Sequence, residues 1–309
     1  MRIAFLGTPE FALPSLNALI SRRHTICVFT QPDRPVGRRQ VLTPPPVKAL
    51  ARQHGLPVMQ FERIKSAEGV AALKSFAPDL CVTAAFGQLL SRENLSVPRH
   101  GTINVHASLL PKYRGASPIQ SAIIEGETET GVTIMMTDIG MDTGDILNSD
   151  SCPIRPDETA GQLSERLAVI GSRLLLAVID SISNGTLVRV PQDEKLATRC
   201  KPLTRDSGRI DFSLPRLRVH NLVRGVNPWP GAFAYLDELP IKIWATRFAD
   251  CVELADAPFG TLMGSAKQGL FVRCADGWLE LCDLQLSGGK RMSGKSILCG
   301  NDLCGRRLT

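Results

Sequence analysis

Residues 79–87, Asp-Leu-Cys-Val-Thr-Ala-Ala-Phe-Gly, are apolar almost without interruption. A strand with one face on water alternates polar and apolar residues, whereas a run that is apolar on both faces marks a strand buried inside a parallel sheet. The stretch therefore reads as the centre of an α/β sheet. Towards the N-terminus, RIAFL (2–6), TICVFT (25–30) and the shorter PVMQ (57–60) supply further strand patterns. Helical segments are expected between them, from Glu10 to about Ile20, from Val47 to Gln53 and from Ala67 to Ser75. Thr8 suits the N-cap of the first helix and Pro9 its first turn. Towards the C-terminus, Leu163, Leu167, Ile170, Leu174 and Val178 recur at helical spacing until Asn184-Gly185 stops them. This alternation predicts a Rossmann-like, doubly wound α/β domain with a mainly parallel sheet over residues 1–186.

Beyond it the composition shifts. Residues 187–206 are polar, charged and broken by Pro191 and Pro202, the signature of a linker. Residues 207–309 then carry short strand patterns, IKIWATRF, GTLMG, GLFVRC and WLELCDLQL, separated by Gly, Asp and Pro, which predicts a small β-barrel.

Composition bounds the function. The 309 residues are 43% hydrophobic and 21% charged, ordinary for a globular chain. A net charge of +6 favours an anionic partner without the dense basic runs of a nucleic-acid coat. Nine scattered cysteines without a Cys-x-x-Cys pair indicate neither a disulfide framework nor a zinc site. MRIAFLG enters a strand directly, without the pattern of a secretory signal, and no apolar run nears the roughly 20 residues of a membrane span. The expectation is a cytoplasmic protein.

Chemistry gathers between Thr102 and Asp145. In TINVH, Asn104 and His106 are two residues apart, so both project from one face of a strand that ends by Leu110-Pro111. Asp142, between Gly140 and Gly144, sits in a turn that can bring a carboxylate back to them. Elsewhere, the proline-rich loop from Gln31 to Pro46 carries Arg34, Arg38 and Arg39, followed by Lys48, and Lys290 and Arg291 lie near the end. A solvated basic surface and a phosphate contact are equal readings of these cations. A dinucleotide site is disfavoured because only Gly7 stands after the first strand, so G-x-G-x-x-G is absent. Asp142-Thr143-Gly144 occurs once, whereas an aspartic protease needs two such turns.

The ordered string Asn104-x-His106, Ser108-Leu109-Leu110-Pro111, Tyr113-Arg114-Gly115 and Asp142-Thr143-Gly144-Asp145 resembles the 10-formyltetrahydrofolate-dependent formyltransferases. The likeness is strongest to the branch that acts on a methionyl initiator tRNA, and it extends more weakly along nearly the whole chain. It implies 10-formyltetrahydrofolate as co-substrate, no metal, and no tightly bound cofactor. It also implies Asn104, His106 and Asp142 as catalytic groups, with His106 held charged by Asp142. Phe86, Gly87, Gln88 and Leu89 would border the pterin, although a plain strand-to-helix turn is the simpler reading of them. Ser108, Leu109, Leu110 and Pro111 would also contact the folate. Arg34, Arg38 and Arg39 would reach the tRNA acceptor stem, and Lys290 and Arg291 would lie on an OB-like tRNA-binding module formed by 207–309. The enzyme would act as a monomer. Folate-dependent formyltransferases of amino sugars or purine precursors would share the catalytic trio, and a catalytically idle tRNA-binding relative would share the basic features.

Overall fold

The apolar runs become neighbouring strands in the computed structural model, which describes residues 1–37, 39–248 and 256–309. In chain order the strands are β1 (Arg2–Gly7), β2 (Thr25–Thr30), β3 (Arg34–Val36), β4 (Val41–Thr43), β5 (Val58–Gln60) and β6 (Leu80–Ala84). They continue with β7 (Thr102–His106), the two-residue β8 (Arg114–Gly115), β9 (Glu129–Met136) and β10 (Ile146–Pro153). Seven of them form one sheet in the order β10-β9-β7-β6-β1-β2-β5. Pairing is parallel from β7 through β6, β1 and β2 to β5, and antiparallel between β7 and β9. The doubly wound, mainly parallel sheet expected from the sequence is present, with Leu80–Ala84 buried at every position.

By contacts the chain divides into two units. The first comprises Met1–Gly115, Thr130–Cys152 and Ser164–Arg199; the second comprises Ala116–Glu129, Pro153–Leu163 and Cys200–Thr309. In the first, Ala4, Leu6, Cys27, Phe29, Ile64, Leu73, Cys81 and Phe86 form one buried cluster. In the second, the strands run Ala232–Leu236, Leu239–Phe248, Gly277–Gln285, Gly269–Cys274, Leu262–Ser265, all antiparallel, and Arg291–Ser293 also pairs with Gly277–Gln285. These strands match the short patterns of the tail closely. The helix Arg216–Gly225 was not evident in the sequence: three arginines break its apolar pattern, yet Val219 and Val223 are buried and Gly225 sits close to Ile124 of the helix Pro118–Glu125.

Other elements depart from expectation for identifiable reasons. The first helix begins as a 3₁₀ turn, Glu10–Ala12, and becomes α-helical over Leu13–Ser21. Thr8 does not cap it; its hydroxyl donates to the Phe86 carbonyl at 3.0 Å, tying the end of β1 to the turn after β6. The long loop contains the β3–β4 hairpin, whose exposed residues give no apolar alternation. The helix Ala160–Asn184 revises the expectation that no membrane-length run exists. Its 25 residues include an 18-residue window of mean hydropathy 1.5, long and apolar enough by length and composition alone to cross a membrane. In the first unit its Gly171 packs so closely on β7 and β9 that a Cβ would lie 2.7 Å from Val105 Cγ1 and 3.3 Å from Val132 Cγ1.

Gly7 shows how tightly β1 meets its neighbours. A Cβ there would fall 2.8 Å from Phe5 Cε1, 2.9 Å from Ala12 Cβ and 3.1 Å from the Ala84 carbonyl oxygen. Overpacking of this kind costs about 1–3 kcal/mol. Gly7→Ala is expected to lower the urea unfolding midpoint accordingly, and an unchanged midpoint would contradict the packing at this strand end.

Candidate active site

β7 is held between β6 and β9 in a register that sets Asn104 opposite Thr83 on one side and Met135 on the other, and His106 opposite Thr133. Asn104 is half-buried. The Thr83 hydroxyl lies 2.9 Å from Asn104 Oδ1 and 3.2 Å from the Ile103 carbonyl. When it donates to Oδ1, the NH₂ end of the amide faces away from Thr83 with two hydrogens to offer.

His106 is 5% exposed. Its Nε2 lies 3.0 Å from the Tyr113 carbonyl oxygen, which can only accept, so Nε2 carries the proton. Nδ1 faces Asp142 Oδ2 at 3.7 Å, an electrostatic contact longer than a hydrogen bond. The same Oδ2 accepts the Gly115 N–H at 2.8 Å. Burial pushes His106 below its ordinary imidazole value of 6.5. The Asp142 carboxylate and the hydrogen bond to Tyr113 pull it back by less. The charged imidazole expected from the sequence is therefore replaced by a neutral one at rest, because desolvation of the ring outweighs an ion pair at this distance.

Asp142 adopts a left-handed backbone, φ +54°. Gly144 allows the turn to pass the end of β9, since a Cβ there would lie 2.0 Å from the Met136 carbonyl oxygen. The structure thus brings Asn104 and His106 onto one strand and Asp142 against His106.

The residues assigned to folate serve different structural ends. Phe86 is buried in the sheet core and its carbonyl accepts from Thr8 and from Gln31 Nε2. Gly87 has φ +77°, and Gln31 Nε2 occupies the place where a side chain would stand. Gln88 is committed to the protein: Oε1 accepts the Ile64 N–H at 2.6 Å and Nε2 donates to the Phe61 carbonyl at 2.8 Å. Leu89 is exposed. Ser108 is fully buried and donates to the Lys112 carbonyl, while Thr133 donates to the Ser108 carbonyl and accepts the Leu110 N–H. Leu109 is half-buried, Leu110 buried, and the Leu110–Pro111 peptide is cis. Sequence reasoning missed Thr83 near the end of β6, Gln31 just after β2 and Thr133 within β9.

Arg34 and Arg39 lie on the exposed β3–β4 hairpin, with Arg34 paired to Glu62 at 2.6 Å. Arg38 lies outside the described residues. The hairpin is rooted by Lys48, which is buried and donates to both Asp33 oxygens at 2.7 and 2.8 Å and to Gln60 Oε1 at 2.7 Å. The Lys48 hydrogen bond holds the Asp33 carboxyl below its ordinary value. In the second unit Lys290 and Arg291 are exposed; Arg291 pairs with Asp283 and stands over the Trp244 ring at 5.2 Å.

The lowered His106 value has a definite sign. Its neutral form stabilises the fold above about pH 6.5, and that contribution is lost as pH falls through the folded-state value. Asp142→Asn removes the carboxylate that pulls the value up, so the His106 ring proton resonance is expected to titrate at a still lower pH. A midpoint that rises in Asp142→Asn would contradict the arrangement.

Two family models match successive parts of the chain. A model described as formyl transferase matches residues 1–179, and one described as formyl transferase, C-terminal domain, matches residues 202–302. The methionyl-tRNA formyltransferase of Geotalea daltonii is 46% identical over 301 residues, covering 97% of this chain and 95% of that protein. That of Ruminiclostridium cellulolyticum is 44% identical over 304 residues, covering 98% and 97%. Among solved structures, WlaRD, a sugar 3N-formyltransferase determined with dTDP and 5-N-formyl-THF, matches with a TM-score of 0.67 at 18% identity, covering 93% of this chain and 97% of that one. The N-formyltransferase of Helicobacter canadensis matches at 0.68 and 19%, covering 94% and 99%. These structural matches establish the fold alone.

Proposed function

The chain belongs to the formyltransferase family, and from that membership we propose that it transfers the formyl group of 10-formyltetrahydrofolate to the α-amino group of methionyl initiator tRNA. The product is the N-formylmethionyl-tRNA used to initiate translation. Likeness to methionyl-tRNA formyltransferases over 97% of the chain carries this reading. The enzyme is taken to work as a cytoplasmic monomer without a metal or a tightly bound cofactor.

In the reaction an amine nitrogen forms a bond to the formyl carbon, the bond from that carbon to N10 breaks, and one proton passes from the amine to N10. The Asn104 NH₂ suits the role of donor to the formyl oxygen as it becomes an oxyanion, and Thr83 supports its orientation. The neutral imidazole of His106 suits a base better than a standing acid. The free lone pair of that ring is on Nδ1 beside Asp142, so the amine's proton enters the pair there, carried by water, and the Nε2 proton passes to N10, leaving the ring neutral in its other tautomer. His106 Nε2, resting on the Tyr113 carbonyl, turns to substrate when that contact opens. Phe86 to Leu89 and Ser108 to Pro111 are taken to shape the folate side of the site, Gln88 and Ser108 through the turns they hold and Leu89 through apolar contact.

The hairpin supports a nucleic-acid acceptor. Val36, Val41 and Leu42 are 57%, 59% and 65% exposed, beside Arg34 and Arg39. Apolar side chains next to cations suit a frayed stem end, where bases offer faces and phosphates offer charge. Arg38 joins them in this role by sequence, and Lys290 and Arg291 add phosphate contacts from the second unit.

The test is transfer of labelled formyl from 10-formyltetrahydrofolate to methionyl initiator tRNA, with methionyl elongator tRNA and free methionine in parallel. Transfer to the initiator alone is expected, and Asn104→Ala should lose about 100-fold in kcat with the KM for folate nearly unchanged. Transfer to none of the three acceptors, with folate still bound, would move the acceptor to an amino sugar.

A further inference from the structure

A left-handed backbone at a residue other than glycine is strained and persists where its surroundings enforce it. At Asp142 the enforcement comes largely from one side chain. Gln192 Nε2 donates to the Asp142 carbonyl at 2.9 Å and to the Gly144 carbonyl at 2.7 Å. Gln192 Oε1 accepts from Arg114 Nε at 3.0 Å and from its NH2 at 2.8 Å. Arg114 is 1% exposed and closes on Glu194 through two further bonds, NH1 to Oε2 at 2.9 Å and NH2 to Oε1 at 2.7 Å.

This chain of contacts has only one workable orientation. Turning the Gln192 amide over would aim its NH₂ at a guanidinium and its oxygen at two carbonyls, losing four hydrogen bonds together. The planar fork of Arg114 therefore dictates how the amide sits, and the amide dictates where the peptide planes around Asp142 lie. Lysine could not replace the fork, because a single ammonium cannot serve the amide oxygen and both carboxylate oxygens in one plane. The backbone beside Arg114 reaches the catalytic pair as well: Tyr113 accepts from His106, and Gly115 donates to Asp142. The segment after Gln192 holds that backbone, since Thr198 accepts the Tyr113 N–H through Oγ1 at 2.8 Å and the Arg114 N–H through its carbonyl at 2.9 Å.

We propose that Gln192 and Arg114 are positioning residues for formyl transfer, holding Asp142 in the left-handed turn that keeps its carboxylate against Nδ1 of His106. The inference rests on the catalytic reading of His106 and Asp142 given above. It makes part of the polar stretch 187–206 a working component of the site. Glu194, whose side chain is 70% exposed, orients the guanidinium from the surface.

The test is Gln192→Met in the full chain, a change of similar volume that removes both the donors and the acceptor. Three quantities are read: kcat, the KM for 10-formyltetrahydrofolate, and the pH midpoint of the His106 ring proton resonance. The expected result is a roughly 10- to 100-fold loss in kcat, a KM within about threefold of wild type, and a His106 midpoint below that of wild type as the carboxylate drifts from the ring. In an Asp142→Asn background the same change should add less than about twofold, because it acts through Asp142. A folded Gln192→Met with wild-type kcat and His106 midpoint overturns the proposal, and so does an undiminished effect in the Asp142→Asn background. Should Gln192→Met fail to fold, Glu194→Gln at the exposed end of the chain is read in its place. A reduced kcat and a lowered midpoint support the proposal, and wild-type values for both overturn it. The midpoint requires no turnover, so absence of formyl transfer by the wild type would defeat the catalytic reading while leaving the positioning role to be decided by the resonance.

Discussion

Thr83 stands opposite Asn104 because β6 and β7 pair in parallel, with Cys81 on Thr102 and Val82 on Ile103, and that register decides which face of the sheet the amide and the imidazole project from. A slip of one residue would turn both side chains to the other face and put Ile103 and Val105 where they had been. The slip is opposed on both sides. β6 is buried at all five positions, and β9 sets Met135 against Asn104 and Thr133 against His106. The placement of Asn104 and His106 is thus inherited from the packing of the sheet centre, whereas the turn carrying Asp142 is held by the Gln192 side chain.

The same burial sets the charge of His106. A ring so nearly enclosed loses the hydration that an imidazolium would need, and a carboxylate 3.7 Å away, itself bonded to the Gly115 N–H, restores only part of it. The outcome is a neutral ring next to an anion, a pair able to take one proton. A histidine charged at rest would have to lose a proton before it could accept one from the amine, so burial favours the shuttle over the standing acid. The sequence alone pointed to the opposite charge because it reveals the partner and conceals the depth.

Elements carried by periodicity were legible. The strands around Leu80–Ala84 and the short strands of the second unit lie within a few residues of their sequence patterns, because apolar residues at the right spacing leave a regular trace. Asn104 and His106 were legible through their spacing of two on a strand. What escaped was held by single polar contacts between distant residues. Arg114 and Gln192 are 78 positions apart, Thr8 and Phe86 also 78, and neither pair leaves any pattern along the chain. The stretch after Gly185 looked like a linker for that reason: it is polar, and its polarity is used in hydrogen bonds to Arg114 and Tyr113 as well as in water. The helix Arg216–Gly225 escaped differently, its arginines masking the buried Val219 and Val223.

A sheet edge meant to stabilise a developing oxyanion must present donors that need not reorganise when charge appears. Most polar side chains around this edge have no such freedom. Thr8, Gln31, Gln88, Ser108 and Thr133 all donate to backbone carbonyls, fixing the turns after β1, β6 and β7. Those commitments make the edge rigid and use the single hydroxyl proton of Thr8, Ser108 and Thr133. The Asn104 amide differs, since its contact with Thr83 can engage the oxygen and leave the nitrogen's hydrogens for another acceptor. A rigid frame of bonded polar groups around an amide anchored at its oxygen is what electrostatic preorganisation requires.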